Sequence, residues 1–148
     1  MMKILKLIIM SAMSAAMISS CVSRSADAIP AAPLEECVYG RYKSTFSVWS
    51  PDAEAAQLRL YHSAADESAF GTFDMDLSKD GLWKVTVRRN LKGAFYTFQI
   101  KRNGEWLPET AGIAAKAVGV NGWRGAVVDW DDTDPEGWDN DVKPVIKP

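Results

Sequence analysis

Six tryptophans stand among 148 residues. They come first because a flat indole can cover one face of a sugar ring while its N–H reaches a polar partner. Their spacing sorts them. Trp83 shares a period-two register with Val85 and Val87, which places it in a core. Trp49 falls on the strand face opposite Phe46 and Val48, where it is available to a partner surface. Trp106 follows Asn103-Gly104-Glu105 at a hairpin, as a stacking platform or as an aromatic that packs on its own turn. Trp123 precedes Arg124 in an Asn-Gly-Trp-Arg turn. That pair would contact sugar or protein, or would pin two loops together. Trp138, in a later linker-like segment, reads as packing against the domain or its neighbour.

No group of residues points to catalysis, a metal or a cofactor. His62 is the only histidine, and no Ser–His–Asp grouping can be argued around it. Asp129, Asp131, Asp132, Asp134, Asp139 and Asp141 form a dense acidic tail. An EF-hand would need Gly at its sixth place and Glu at its twelfth, and Pro135 and Asp141 break that pattern. The tail therefore reads as a solvated linker over 131–148.

The amino terminus has a different character. Lys3 and Lys6 precede an apolar run, Leu7 to Ile18, that ends in Ser19-Ser20-Cys21. About a dozen apolar residues are too few to span a bilayer, which needs roughly 20. The pattern is that of a secretory signal over 1–20. A cysteine after small residues resembles a bacterial lipobox, with Cys21 as the lipid-accepting residue. The expected location is the bacterial cell envelope, at the outer membrane or cell surface, with membrane contact through the lipid alone. Without residues 1–20 the charge is 15 basic minus 19 acidic, or −4, which argues against nucleic acid as a partner. Cys37 is then the remaining thiol.

Val22 to Pro33, rich in Ser, Ala and Pro, extends this leader as a tether over 21–37. From Ser44 onward, short alternating runs take over. They carry Phe46 and Val48; Leu58 and Leu60 against Arg59 and Tyr61; Phe73, Met75 and Leu77; Trp83, Val85 and Val87; then Tyr96, Phe98 and Ile100. Lys79-Asp80-Gly81, Leu91-Lys92-Gly93 and Asn103-Gly104 supply the turns. Ala126, Val128 and Trp130 predict a last strand. This spacing predicts an all-β, immunoglobulin-like antiparallel sandwich over 38–130. Phe46, Val48, Leu58, Leu60, Trp83, Val85, Tyr96 and Phe98 should be mostly buried.

Several of these segments carry a resemblance. Thr45-Phe46-Ser47-Val48-Trp49-Ser50-Pro51, Gly81-Leu82-Trp83 and Gly93-Ala94-Phe95-Tyr96-Thr97-Phe98 are similar to strands of family 48 carbohydrate-binding modules. Ala115 to Gly125 and Thr133-Asp134-Pro135-Glu136-Gly137-Trp138 resemble the end of that module in type I pullulanases. Gly112-Ile113-Ala114 stands where those enzymes usually carry an Asp-Pro-Tyr-like triplet. The resemblance implies binding of α-glucan such as starch, pullulan or glycogen. It also implies a glycoside hydrolase catalytic domain as a neighbour. The enzymes cut α-1,6 links with carboxylates on a barrel of about 250 residues, which this chain cannot hold, so no catalytic residue carries over. Glycogen-binding members pair a Trp at the Trp106 position with a second Trp and a Lys. Here His62 to Gly71 offers Phe70, and Thr97 stands in the lysine's place. The expected glucan contacts are Trp106, Trp123, Tyr61 and Arg124. The competing expectations are a truncated pullulanase fragment and a protein-docking domain of a polysaccharide-degrading complex.

Overall fold

The computed structural model describes residues 34–140 and 142. The leader, Cys21 and most of the tether lie outside them. The alternating runs form two antiparallel sheets. One sheet orders β1 (Cys37–Val38), β2 (Ser44–Trp49), β6 (Leu82–Val87) and β5 (Asp76–Leu77) as β1-β2-β6-β5. The other orders β4 (Gly71–Asp74), β3 (Ala55–Tyr61), β7 (Phe95–Arg102) and β8 (Glu105–Trp106) as β4-β3-β7-β8, with β9 (Gly125–Ala126) pairing the start of β7. The first is sheet A and the second sheet B.

The core lies between them. Phe46 and Val48 from sheet A meet Leu58, Leu60, Tyr96 and Phe98 from sheet B, and Trp83, Val87 and Val127 close the cluster. Tyr96 stands edge-on to Phe46 and Phe98, with ring centroids 5.2 and 5.4 Å apart. That is the geometry in which a ring edge meets the negative face of its neighbour. Seven of the eight residues expected inside are buried. Val85 is partly buried at the margin. The Trp83 indole is buried as well and donates to the Ser50 carbonyl at 2.9 Å. A core tryptophan thus satisfies its one polar atom.

Two expectations need correcting. The last strand is short, and its inward residues are odd-numbered. Gly125 lies opposite Tyr96, and Val127 exchanges backbone hydrogen bonds of 2.9 Å with Gly93 and Ala94. Val127 is buried, Trp130 is exposed, and Ala126 pairs with Phe95 on the outer face. Tyr96 sets this register: a Cβ on Gly125 would lie 2.2 Å from its ring. The domain also begins earlier than residue 38. Cys37 pairs with Phe46, and Glu36 is only 1% exposed.

Glu36 ties the start of the domain to a distant loop. One carboxylate oxygen accepts the Ile113 N–H at 3.0 Å, and the other has no partner among the described residues. Gly112 makes room for it. Its φ is +94°, and a Cβ there would lie 2.1 Å from the carboxylate. Burial raises the Glu36 pKa, and hydrogen bonds from the Ala114 and Ile113 amides offset this only in part. The folded protein therefore holds this proton more tightly than the unfolded chain does. The resulting stability is complete below the unfolded value of 4.5 and is lost as pH rises through the folded value. Glu36→Gln should gain on wild type as pH rises from about 4 to about 7, measured by urea unfolding. A constant difference would reject the assignment. Gly112→Ala should lower stability by at least about 2 kcal/mol, because it combines a forbidden φ with a steric clash.

Candidate functional site

Because β3 and β7 bury Leu58, Leu60, Tyr96 and Phe98, the alternate residues must face outward from sheet B. The ladder pairs Gln57 with Gln99, Arg59 with Thr97 and Tyr61 with Phe95. On its flank Gln57 pairs with Asp74, and its amide donates to the Asp74 carboxylate at 2.8 Å. The outer face of the sheet is therefore a band of hydrogen-bonding side chains, different in character at its two ends.

At the β8 end stands Trp106. Asn103 and Gly104 both take positive φ, 52° and 78°, so the chain reverses in a two-residue turn. The Gly104 N–H also donates to the Glu54 carboxylate, at 3.1 and 3.2 Å. The turn sets Trp106 opposite Lys101, on the same face as Gln99 and Gln57. The Trp106 residue is 40% exposed, enough to present its ring to solvent. Gln99 donates to the Leu107 carbonyl at 3.1 Å, which fixes its amide beside the indole's strand.

At the opposite end the surface is closed. The Glu109 carboxylate accepts from the Thr97 hydroxyl at 2.6 Å and from the Tyr61 hydroxyl at 2.5 Å, and pairs with Arg59 at 2.9 Å. Burial alone would raise its pKa. The hydrogen bonds from Thr97 and Tyr61, with the Arg59 and Arg124 charges, outweigh burial and hold the carboxyl below its usual value. Burial and the Glu109 hydrogen bond raise the Tyr61 hydroxyl. Arg124 lies over the Tyr61 ring at 3.6 Å and donates to the Ser63 and Asp66 carbonyls at 2.8 and 2.5 Å. The Asp66 carboxylate in turn accepts the His62 and Ser63 amides.

This corrects two of the expected glucan contacts. Tyr61 is only 2% exposed, with its ring covered by Arg124 and its hydroxyl held by Glu109, so it offers no face to a sugar. Arg124 joins two loops, as the pinning reading of its turn expected, and its donors go to protein carbonyls. Trp123 beside it is 73% exposed, but it is far from Trp106. Tyr61 pairs with Phe95 and Trp106 with Lys101. The 101 − 95 = 6 steps between them are about 20 Å of strand. Phe70 is also no free platform: His62 stacks on it at 4.1 Å and Arg89 lies over it at 5.5 Å. Thr97, in the lysine's place, is buried beneath Glu109. The cation on that row is Arg59, from the neighbouring strand.

Gln57, Arg59, Gln99, Lys101 and Glu109 were not singled out from the sequence. Four of them were accessible in principle. They occupy the polar phase of the same alternation that identifies the core. Glu109 follows β8, outside any periodic run, and only the fold brings it over Thr97.

An antiparallel sandwich with a solvent-facing indole on a hydrogen-bonding sheet is the architecture of a β-sandwich binding module. The chain belongs to family 48 of these: the family described as "Carbohydrate-binding module 48 (Isoamylase N-terminal domain)" matches residues 31–115. A pullulanase of Bacillus subtilis strain 168 is 37% identical over 111 residues, which are 75% of this chain and 14% of that protein. A pullulanase of Klebsiella aerogenes is 32% identical over 109 residues, or 68% of this chain and 10% of that protein. Among solved structures, a mutant Paenibacillus barengoltzii pullulanase complexed with maltotriose superposes with a TM-score of 0.72 at 33% identity. It covers 81% of this chain and 18% of that one. Pullulanase from Bacillus acidopullulyticus gives 0.71 at 34%, over 78% and 14%. The chain thus spans only a small fraction of these relatives.

Removing the Glu109 carboxylate leaves the Thr97 and Tyr61 hydroxyls without their acceptor. Glu109→Ala should cost about 1–3 kcal/mol of stability in urea unfolding. Its pH signature is opposite to that of Glu36. A lowered pKa gives stability that is present above 4.5 and lost as pH falls through the folded value. Wild type and Glu109→Ala should therefore converge on acidification.

Proposed function

We propose that this chain is a non-catalytic module that binds α-glucan on the outer face of sheet B at its Trp106 end. We further propose that it is exported and held to the cell envelope by a lipid on Cys21. The observation that carries the binding reading is the exposed Trp106 in register with Lys101, beside Gln99 and Gln57. An apolar ring face with donors and acceptors on the adjacent row suits a glucose unit, which has apolar C–H faces and a rim of hydroxyls. Family membership and the maltotriose complex of a relative support the choice of α-glucan. One indole buries little area, and association must overcome lost translational freedom, so binding should be weak.

The carboxyls support a role without hydrolysis. Glycoside hydrolysis uses two carboxyl groups about 5–10 Å apart across the scissile bond. Glu36 carries a raised pKa but is sealed in the interior, and Glu109 is committed to Arg59, Thr97 and Tyr61. A sealed carboxyl cannot meet a glycosidic oxygen, and the Glu109 carboxyl, held below its usual pKa, is poorly suited to protonate one. The purified chain should release no reducing sugar from pullulan. Release that disappears on mutating one acid would overturn this.

A docking role is the second reading, and Trp123 favours it, since that ring and Val120 are exposed together on one turn. Affinity electrophoresis in amylopectin separates the two. Trp106→Ala should abolish retardation and leave the melting temperature nearly unchanged, while Trp123→Ala should keep most of it. No retardation of wild type, or equal retardation of wild type and Trp106→Ala, would favour docking. The lipid is tested by mass spectrometry of the protein from membranes: Cys21→Ser should abolish an acyl mass increment.

A further inference from the structure

Sheet A carries a second feature, on the opposite side of the sandwich from Trp106. The loop joining β1 to β2, with the residue that follows β6, encloses an open groove of about 500 Å³. Tyr39, Arg41, Tyr42, Lys43, Thr45 and Arg88 are among the residues that line it. The Tyr39 hydroxyl donates to Asn90 at 3.0 Å, and Thr45 and Thr86 share a hydroxyl contact of 3.1 Å, so both lining residues are tethered. Tyr42 is 82% exposed. Three cations line the groove and no carboxylate does, in a chain whose net charge is −2. Asp76 and Asp80 lie toward Lys84, at the other end of the sheet, while Val38 and Tyr39 also border a neighbouring pocket lined by Glu35, Lys116, Asp129 and Asp131.

We propose that this groove is a docking face for an anionic phospholipid surface. Charge complementarity selects the partner. Clustered Lys and Arg are drawn to the negative potential of acidic lipids, and a protruding tyrosine suits the headgroup layer, where its ring meets apolar chains and its hydroxyl meets water. Chain connectivity points the same way. Leu34 is the first described residue, and the chain meets the groove four residues later, where β1 ends at Val38. From Cys21 to Leu34 is 34 − 21 = 13 residues, which reach at most about 45 Å. The groove thus lies only a few residues along the chain from the leader, on the sheet opposite Trp106. The nearness of a membrane rests on the anchored reading above. The lipid affinity of the groove does not, because it is measured on unlipidated protein.

The test is co-sedimentation of the full chain with vesicles, either of phosphatidylcholine alone or with phosphatidylglycerol at about one part in three. The apolar leader and its two lysines are common to all variants, so the comparison is between proteins. Wild type should bind the anionic vesicles in excess of the neutral ones, and added salt should remove the excess. The combined Arg41→Ala, Lys43→Ala and Arg88→Ala variant should lower anionic binding at least about tenfold, since each surface cation contributes roughly fivefold. Tyr42→Ala should weaken binding to both vesicle types. Retention in amylopectin should be the same for wild type and the triple variant, which also shows that the variant is folded. Undiminished anionic binding by the triple variant would overturn the proposal. So would a selective loss of amylopectin retardation, which would make the groove a glucan surface. Failure of wild type to bind amylopectin would count against the glucan reading alone.

Discussion

Seven consecutive residue pairs join β3 to β7, from Ala55 opposite Lys101 to Tyr61 opposite Phe95. The alternation of side chains along that ladder commits both faces at once. Leu58, Leu60, Tyr96 and Phe98 enter the core and are buried, so Gln57, Arg59, Thr97 and Gln99 have no choice but the outer face. A slip of one residue would expose the aromatic core and bury four polar side chains, an exchange unfavourable on both counts. The candidate binding surface is therefore a consequence of core formation. Trp106 joins that surface because β8 continues the same ladder through Lys101.

Polar ties made by single side chains hold the irregular segments to this frame. Arg124 connects the turn after residue 120 to the 62–70 loop, Glu109 connects the irregular segment after β8 to the centre of the sheet, and Glu36 connects the chain start to residues 112–114. Each tie uses a charged group, and the three differ in how that charge is compensated. Arg124 lies against an aromatic face and two carbonyls, and Glu109 has a cation and two hydroxyls. Glu36 has amides on one oxygen only, and its pKa shifts upward accordingly. Lys92 adds a weaker tie by pairing with Asp129 and Asp132, so the start of the acidic tail is held to the domain.

These ties also divide the aromatic residues into working groups. Rings held by a cation or another ring, as Tyr61 and Phe70 are, have lost the free face that stacking on a ligand requires. Trp106, Trp123 and Tyr42 keep theirs and occupy three separate places: the end of sheet B, the turn at residues 120–123 and the tip of the β1–β2 loop. A linear α-glucan, a protein neighbour and a lipid surface would each need a different one of them. Such a small domain can carry several contacts without competition between them.

The sequence by itself determined the two-sheet fold, the core of Phe46, Val48, Leu58, Leu60, Tyr96 and Phe98, the burial of Trp83 and the hairpin at Asn103-Gly104. Each rests on local periodicity or on a backbone requirement that few residues meet. Family membership was legible too, in short runs that keep their order. The register of the last strand was not, because a two-residue strand has no period to read, and the bulk of Tyr96 against Gly125 decides it. The closed end of the surface was equally hidden. Glu109 lies 48 residues from Tyr61 and 50 from Arg59 in the chain, and Arg124 reaches Ser63 across 61 positions. Alternation places a side chain on a face but does not say what will cover it. Only the folded arrangement of three loops decided that Tyr61 is sealed and Trp106 is open.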